Sequence, residues 1–175
     1  MEQIRLALET DPLSILLHFG MALCMVHAKQ YRETIECARR ALEIDPNAHV
    51  IWLILGAGQL YSGLPEEAIT SLKRVVELVP WSHIGVGALA AAYYKSGDHE
   101  RTQEWGLAIK DLHGGTFGAA FYYAAVGDVD AMFRALDEAH RKRDVNLLHI
   151  HSSPFFDPYT ADPRFRTLLA KMNLG

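Results

Sequence analysis

The sequence is poor in several things that would point to a familiar chemistry. It has two cysteines, Cys24 and Cys37, both inside apolar or helical patterns. That is too few for a disulfide framework and suits a reducing cytoplasm. Its start, Met1-Glu2-Gln3-Ile4-Arg5, is not a basic segment followed by an apolar stretch and a cleavage site. The longest oily run, Leu13 to Val26, is interrupted by Ser14, His18 and Gly20. It is too short to cross a bilayer and reads as a buried helix. Positive charge is not in excess, with 17 basic residues against 21 acidic ones. Nothing electrostatic therefore favours nucleic acid or an anionic membrane surface as partner. A phosphate-binding glycine loop, a G-x-S-x-G elbow and an H-E-x-x-H pair are all missing, and no paired carboxylates fall in an evident cleft. These absences lead us to expect a chain that is not an enzyme and holds no cofactor.

What is present is a period. Pro12, Pro46 and Pro80 follow one another at intervals of 34 residues. The first two end matching segments, Ala7-Leu8-Glu9-Thr10-Asp11-Pro12 and Ala41-Leu42-Glu43-Ile44-Asp45-Pro46, which Val75-Val76-Glu77-Leu78-Val79-Pro80 echoes. Proline cannot continue a helix and turns the preceding residue away from helical angles, so each marks a helix stop. Between stops, two amphipathic helices flank a tight turn. In the unit from Asn47 to Pro80 the first helix carries Trp52, Leu55, Gly56 and Leu60, and the second carries Ala68, Ile69, Leu72, Val75 and Val76. The turn between them is Ser62-Gly63-Leu64-Pro65: Gly63 suits a left-handed C-cap and Pro65 the first turn of the next helix. Asp98 and Asp128, each after a glycine, are expected to cap second helices.

Trp52, Leu55, Gly56, Gly63, Ala68 and Pro80 together resemble the tetratricopeptide repeat, whose pattern is W-x2-L-G-x2-Y followed by a small residue and a closing proline. Gln59 stands where the pattern has an aromatic. The preceding unit fits more loosely through His18, Met21, Ala22, Met25, Tyr31, Ala38 and Ala41. The following one has Leu89, Ala90, Tyr93 and Gly97-Asp98, but Gly114-Gly115 in place of proline. A fourth comes at a shorter spacing of 30, with Ala119, Ala120, Tyr123, Gly127-Asp128, Leu136 and Ala139. The resemblance implies an all-α fold, a right-handed α-α superhelix of stacked helix pairs closed by a C-terminal capping helix. The expected divisions are a half repeat at 1–12, repeats at about 13–46, 47–80, 81–114 and 115–143, and a cap at 144–175. Ile4, Leu6 and Leu8 in the half repeat need a further segment or a second molecule to lie on.

In the cap, Asp162-Pro163 reads as an N-cap followed by a first-turn proline, and Phe165, Leu168, Leu169 and Met172 form one helical face. The segments Phe155-Phe156-Asp157-Pro158 and Asp162-Pro163-Arg164-Phe165, with Leu168-Leu169, are similar to the close of repeat regions in bacterial regulators. These include winged-helix transcriptional regulators, class III adenylate cyclases and serine/threonine kinases. This similarity implies a partner-binding module of a larger regulatory protein in a bacterial cytoplasm.

The family's inward-facing positions supply the candidate site. Carried onto this sequence they give Leu16, Phe19, Leu23, Val26 and His27, then Val50, Leu53, Ala57, Leu60 and Tyr61, then Ile84, Gly87, Ala91, Tyr94 and Lys95. The fourth unit adds Phe117, Phe121, Ala124 and Ala125. The expected partner-binding centre is Phe19, Leu23, His27, Tyr61, Tyr94, Lys95, Phe117 and Phe121. Family members that clamp a terminal carboxylate use lysine, asparagine and arginine here, and only Lys95 is of that kind. The lining suits an apolar peptide or amphipathic helix of a protein partner. Alternatively the chain's own tail or a second copy fills it, as a self-association module, or a small apolar ligand does. His149-x-His151, with His113 and His140 elsewhere, has no cysteine or carboxylate nearby to complete a four-ligand set, so no metal site is expected. Arg141-Lys142-Arg143 ends a helix, where cations offset the macrodipole in solvent.

Overall fold

The computed structural model describes residues 1–112, 116–151 and 153–174; for 110, 111 and 116 it describes the backbone alone. The Gly114-Gly115 junction and His113 lie outside the described residues. Every regular element among those described is helical, as the all-α expectation requires. The chain divides into two compact units, Met1–Pro80 and Trp81–Gly175.

The first unit contains α1 (Glu2–Thr10), α2 (Ile15–His27), α3 (Tyr31–Ile44), α4 (His49–Tyr61) and α5 (Pro65–Leu78). Each helix lies on the next in sequence, and α2 also touches α4. The period is visible in the backbone: α1 ends two residues before Pro12, α3 two before Pro46 and α5 two before Pro80. In all three cases the residue next to the proline leaves helical space, with φ of −132° at Asp11, −136° at Asp45 and −138° at Val79. The corners are tied back alike. Trp52 donates its indole N–H to the Pro46 carbonyl at 2.9 Å, and the imidazole of His18, 34 residues earlier, reaches Pro12 O at 2.8 Å. Small residues let the helices approach. Ala22, Ala38, Ala41 and Ala68 are fully buried, and Leu72 fills the space that a side chain at Gly56 would need. By contrast α1 has no buried residue, and Leu6 is half exposed.

The second unit contains α6 (His83–Ser96), α7 (His99–Asp111), α8 (Thr116–Val126), α9 (Val129–Arg141), 3-10 turns at Val145–His149 and Pro154–Tyr159, and α10 (Pro163–Lys171). Asp98, Asp128 and Asp162 cap their helices by accepting from the backbone N–H of Arg101, Ala131 and Arg164 at 3.0, 3.0 and 2.8 Å. α10 buries Phe165, Leu168 and Leu169 and lies on α9. Arg164 fastens it by donating to Asp130 at 2.7 Å, with its guanidinium over the Phe133 ring.

Two features depart from simple repetition. Gly63 (φ 78°) and Gly97 (φ 86°) make left-handed turns between helices of a pair, and Lys29 makes the same turn at φ 58° without glycine's freedom. Against the two helices of the preceding pair, α4 lies more on α3 than on α2, whereas α8 lies chiefly on α6 and only lightly on α7. The cause is a backbone-to-backbone crossing. A Cβ on Gly87 would overlap the Gly118 carbonyl, and one on Gly118 would overlap the carbonyl of His83. The shorter spacing before the fourth pair accompanies this tighter crossing.

Candidate functional site

In the first unit the inward-facing positions fall on one side of α2 and α4. Leu16 is 76% exposed; Phe19 and Leu23 are half-buried, because their inner edges lie against Ala22, Val26 and Ile54. His27 is exposed, and Val50, Leu53 and Ala57 are half-buried. Tyr61 is half-buried and stacks on Tyr31 with ring centres 5.5 Å apart. This face is apolar, part open, and bounded by a polar end at His27 and the Tyr61 hydroxyl.

The corresponding face of the second unit is filled. Lys95 is exposed and Tyr94 is half-buried against His99. Gly87 and Ala91 are buried on α6, Gly87 directly beneath α8. Phe117 (1% exposed) and Phe121 (6%), expected on a surface offered to a partner, are buried. Phe155 stacks on Phe121 at 4.3 Å with the ring planes 12° apart, and Phe156 meets Phe117 at 5.9 Å and Phe121 at 5.5 Å. Tyr159 donates its hydroxyl to the Ala124 carbonyl at 2.7 Å. Burial raises the Tyr159 pKa, helped by nearby Tyr94. The chain's own tail thus occupies the inner face of α8, one of the alternatives left open by the sequence. The aromatic pair Phe155-Phe156 was itself the available signal, since an oily doublet in a turn-rich segment needs a hydrophobic seat.

The first unit also holds a polar cluster that repeat matching passes over. Gln59, 4% exposed, accepts from Ser71 Oγ at 2.7 Å and donates to Glu67 at 3.2 Å. Arg39 donates to the same Glu67 oxygen at 3.1 Å. This network stands at the position where the sequence departs from the resembled pattern, and with Trp52, Leu42 and Leu55 it lines an open crevice of about 380 Å³. A second crevice, of about 260 Å³, lies one repeat earlier, lined by His18, Met21, Met25 and Cys37.

Elsewhere the chemistry is sparse. His149 and His151 are exposed, and His151 reaches the Leu174 carbonyl at 3.1 Å. Among the described residues no three histidines, cysteines and carboxylates converge on a common point. Arg141 and Lys142 both pair with Glu138 at the surface, and Arg143 takes a left-handed turn at φ 56°. No described helix is long and apolar enough to cross a membrane.

No family model matches the chain, and no curated protein matches it. Among solved structures it is similar to a chain in the structure of Naa15/Naa10 bound to HypK-THB, at 16% identity and a TM-score of 0.43. The likeness covers 97% of this chain and 33% of that one, so this chain spans about a third of its length.

Proposed function

We propose that this chain is a protein-interaction module of the tetratricopeptide type, without catalytic activity of its own. It takes an apolar peptide or one face of an amphipathic helix from a protein partner. The observation that carries the reading is a contrast between equivalent faces. The inner face of α8 is covered by the tail, whereas the α2 and α4 face of the first unit leaves Leu16 mostly exposed and Phe19, Leu23 and Tyr61 half-buried. Burying one such leucine completely contributes about 1.5–3 kcal/mol, so an exposed anchor such as Leu16 is worth about one to two orders of magnitude in affinity. The tail similarity to bacterial regulators supports a cytoplasmic module of a larger regulatory protein, with neither nucleic acid nor membrane as direct partner.

The test is comparative capture from a bacterial lysate, followed by isothermal titration of the recovered partner against the wild type and against Leu16→Asp with Tyr61→Lys. The double variant should retain its helical circular dichroism and bind at least tenfold more weakly. Equal affinity removes the face from consideration. Self-association is the second reading, favoured by α1, whose Leu6 is half exposed and which buries nothing completely. Light scattering that shows a monomer at micromolar concentration rules it out.

A further inference from the structure

The tail seated on α8 serves as a template for the ligand of the first unit. Phe155 and Phe156 clasp the Phe121 ring, with centres at 4.3 and 5.5 Å, and Phe156 also meets Phe117. Among the first helices of the four pairs, only α2 repeats that seat in sequence. Phe19 and Leu23 hold the inward positions that Phe117 and Phe121 hold on α8, whereas α4 has Ala57 and α6 has Ala91 at the second of them. On α8 both side chains are buried; on α2 both are half-buried. We propose that the α2 and α4 face takes a partner segment of the tail's own chemistry: two adjacent aromatic residues in a short, proline-flanked turn, followed by a carboxylate. This ligand class presupposes that the face is the partner surface, and it names the kind of peptide held there.

Adjacent aromatics follow from the conformation of the occupant. Pro154–Tyr159 is a 3-10 turn with Pro154 at its start and Pro158 inside it. Proline there rules out an α-helical hydrogen bond. With three residues per turn, sequence neighbours diverge by about 120°, and two rings straddle one side chain. An amphipathic helix instead places its anchors at i, i+3 and i+4. The seat on α2 is equally prepared. Phe19 packs against both buried clusters to which α4 contributes Ile51, Leu55 and Ile54, so little ordering is left for binding to supply. Leu53 and Ala57 of α4, both half-buried, form the neighbouring wall.

Direction and charge agree with this assignment. On α8 the tail runs toward the helix C-terminus, where Tyr159 donates to the Ala124 carbonyl. Laid on α2 in the same direction, the residues after the doublet approach His27, with Lys29 in the turn beyond, and both are exposed. No inward position of the first unit carries a carboxylate. In the tail, Asp157 directly follows the doublet and is the only charged residue from Ser153 to Ala161. A segment like it brings one negative charge to a basic end.

The test is isothermal titration of the full chain with a capped peptide reproducing Ser153–Thr160. The wild type should bind one peptide, and no saturation up to about 1 mM overturns the proposal. Replacing both phenylalanines of the peptide with alanine, or spacing them four residues apart at equal composition, should weaken binding at least tenfold. Equal affinity for either peptide overturns the adjacent-aromatic ligand. His27→Glu should weaken this peptide and favour one carrying Asp157→Lys; an unchanged preference overturns the carboxylate. Leu16→Asp with Tyr61→Lys should weaken binding at least tenfold, and unchanged binding places the peptide elsewhere. Methyl NMR on the wild type replaces any variant that fails to fold. Leu23 and Leu53 methyls should shift while those of Ala120 and Ala124 stay; shifts confined to α8 mean that the peptide merely displaces the tail, which overturns the proposal. If the peptide fails while a captured partner still distinguishes the wild type from Leu16→Asp with Tyr61→Lys, the face remains a partner surface and its aromatic-turn ligand alone falls.

Discussion

Replacing Gly87 with alanine tests the crossing of α6 and α8 most directly. In an ordinary helix interior the change is favourable, since alanine gains about 1 kcal/mol over glycine in propensity. Here the new methyl would overlap the Gly118 carbonyl and stand 3.1 Å from its Cα. Backbone atoms have no rotamer with which to step aside, so relief requires the helices to separate. That loosens the buried contacts of Val86, Ala90 and Phe117 around the crossing. Overpacking of this kind costs about 1–3 kcal/mol, and a rigid backbone obstacle belongs at or above the upper end. After the propensity gain, Gly87→Ala should destabilise by about 2 kcal/mol. In a chain of 175 residues that lowers Tm by about 4–8 °C. Gly118→Ala should cost a similar amount, and the double variant less than the sum, because helices already separated by one methyl accommodate the second. Gly20→Ala is the control: its nearest neighbour would be Ile4 Cδ1 at 3.7 Å, an ordinary contact, so it should be neutral or stabilising. Calorimetry and urea denaturation of the four variants decide the matter. If Gly87→Ala melts at or above the wild-type temperature, the crossing is not the constraint described.

Further expectations concern the turns, the tail and acid. Lys29→Gly removes a left-handed strain that Gly63 and Gly97 avoid at the matching positions, and should raise stability by about 1 kcal/mol in urea titrations. Phe156 of the tail is fully buried against Phe117 and Phe121 of α8, so Phe156→Ala should cost about 3–5 kcal/mol and raise the binding of a hydrophobic dye as those two rings become accessible. Burial lowers the His83 pKa, only partly opposed by Asp144, so the folded chain takes up this proton at lower pH than the unfolded one. Its contribution is complete above the ordinary histidine pKa of about 6.5 and is lost as pH falls from there toward the folded value. His83→Gln should therefore flatten the decline in stability between about pH 7 and pH 5. An unchanged slope would assign that decline to other groups.

What could be read in the sequence is what neighbours along the chain decide. Proline stops helices through its own ring, and Asp98 and Asp128 cap helices through hydrogen bonds spanning three residues. Such features need no knowledge of the rest of the fold. Gln59 could be seen as a departure, but its meaning depends on Ser71, Glu67 and Arg39, brought to it from two other helices. Lys29 shows the limit of turn chemistry: the repeat supplies the left-handed geometry even where the residue disfavours it. The family pattern assigns Phe117 and Phe121 to an inward face, and the doublet Phe155-Phe156 signals the need for a hydrophobic seat without telling which face supplies it. The seating of α8 was illegible for the same reason. Gly87 and Gly118 each look like an ordinary small residue until the two are placed against one another.

The late arrival of the cover over α8 has a consequence during synthesis. Tyr159 follows the Ala124 carbonyl that it grips by 35 residues. At about 5–20 residues per second the ribosome needs roughly 2–7 s to make that stretch. Throughout this interval a nascent chain carries the phenylalanines of α8 without their lid. Slow decoding downstream of Val126 would lengthen the exposure and increase the need for chaperone protection.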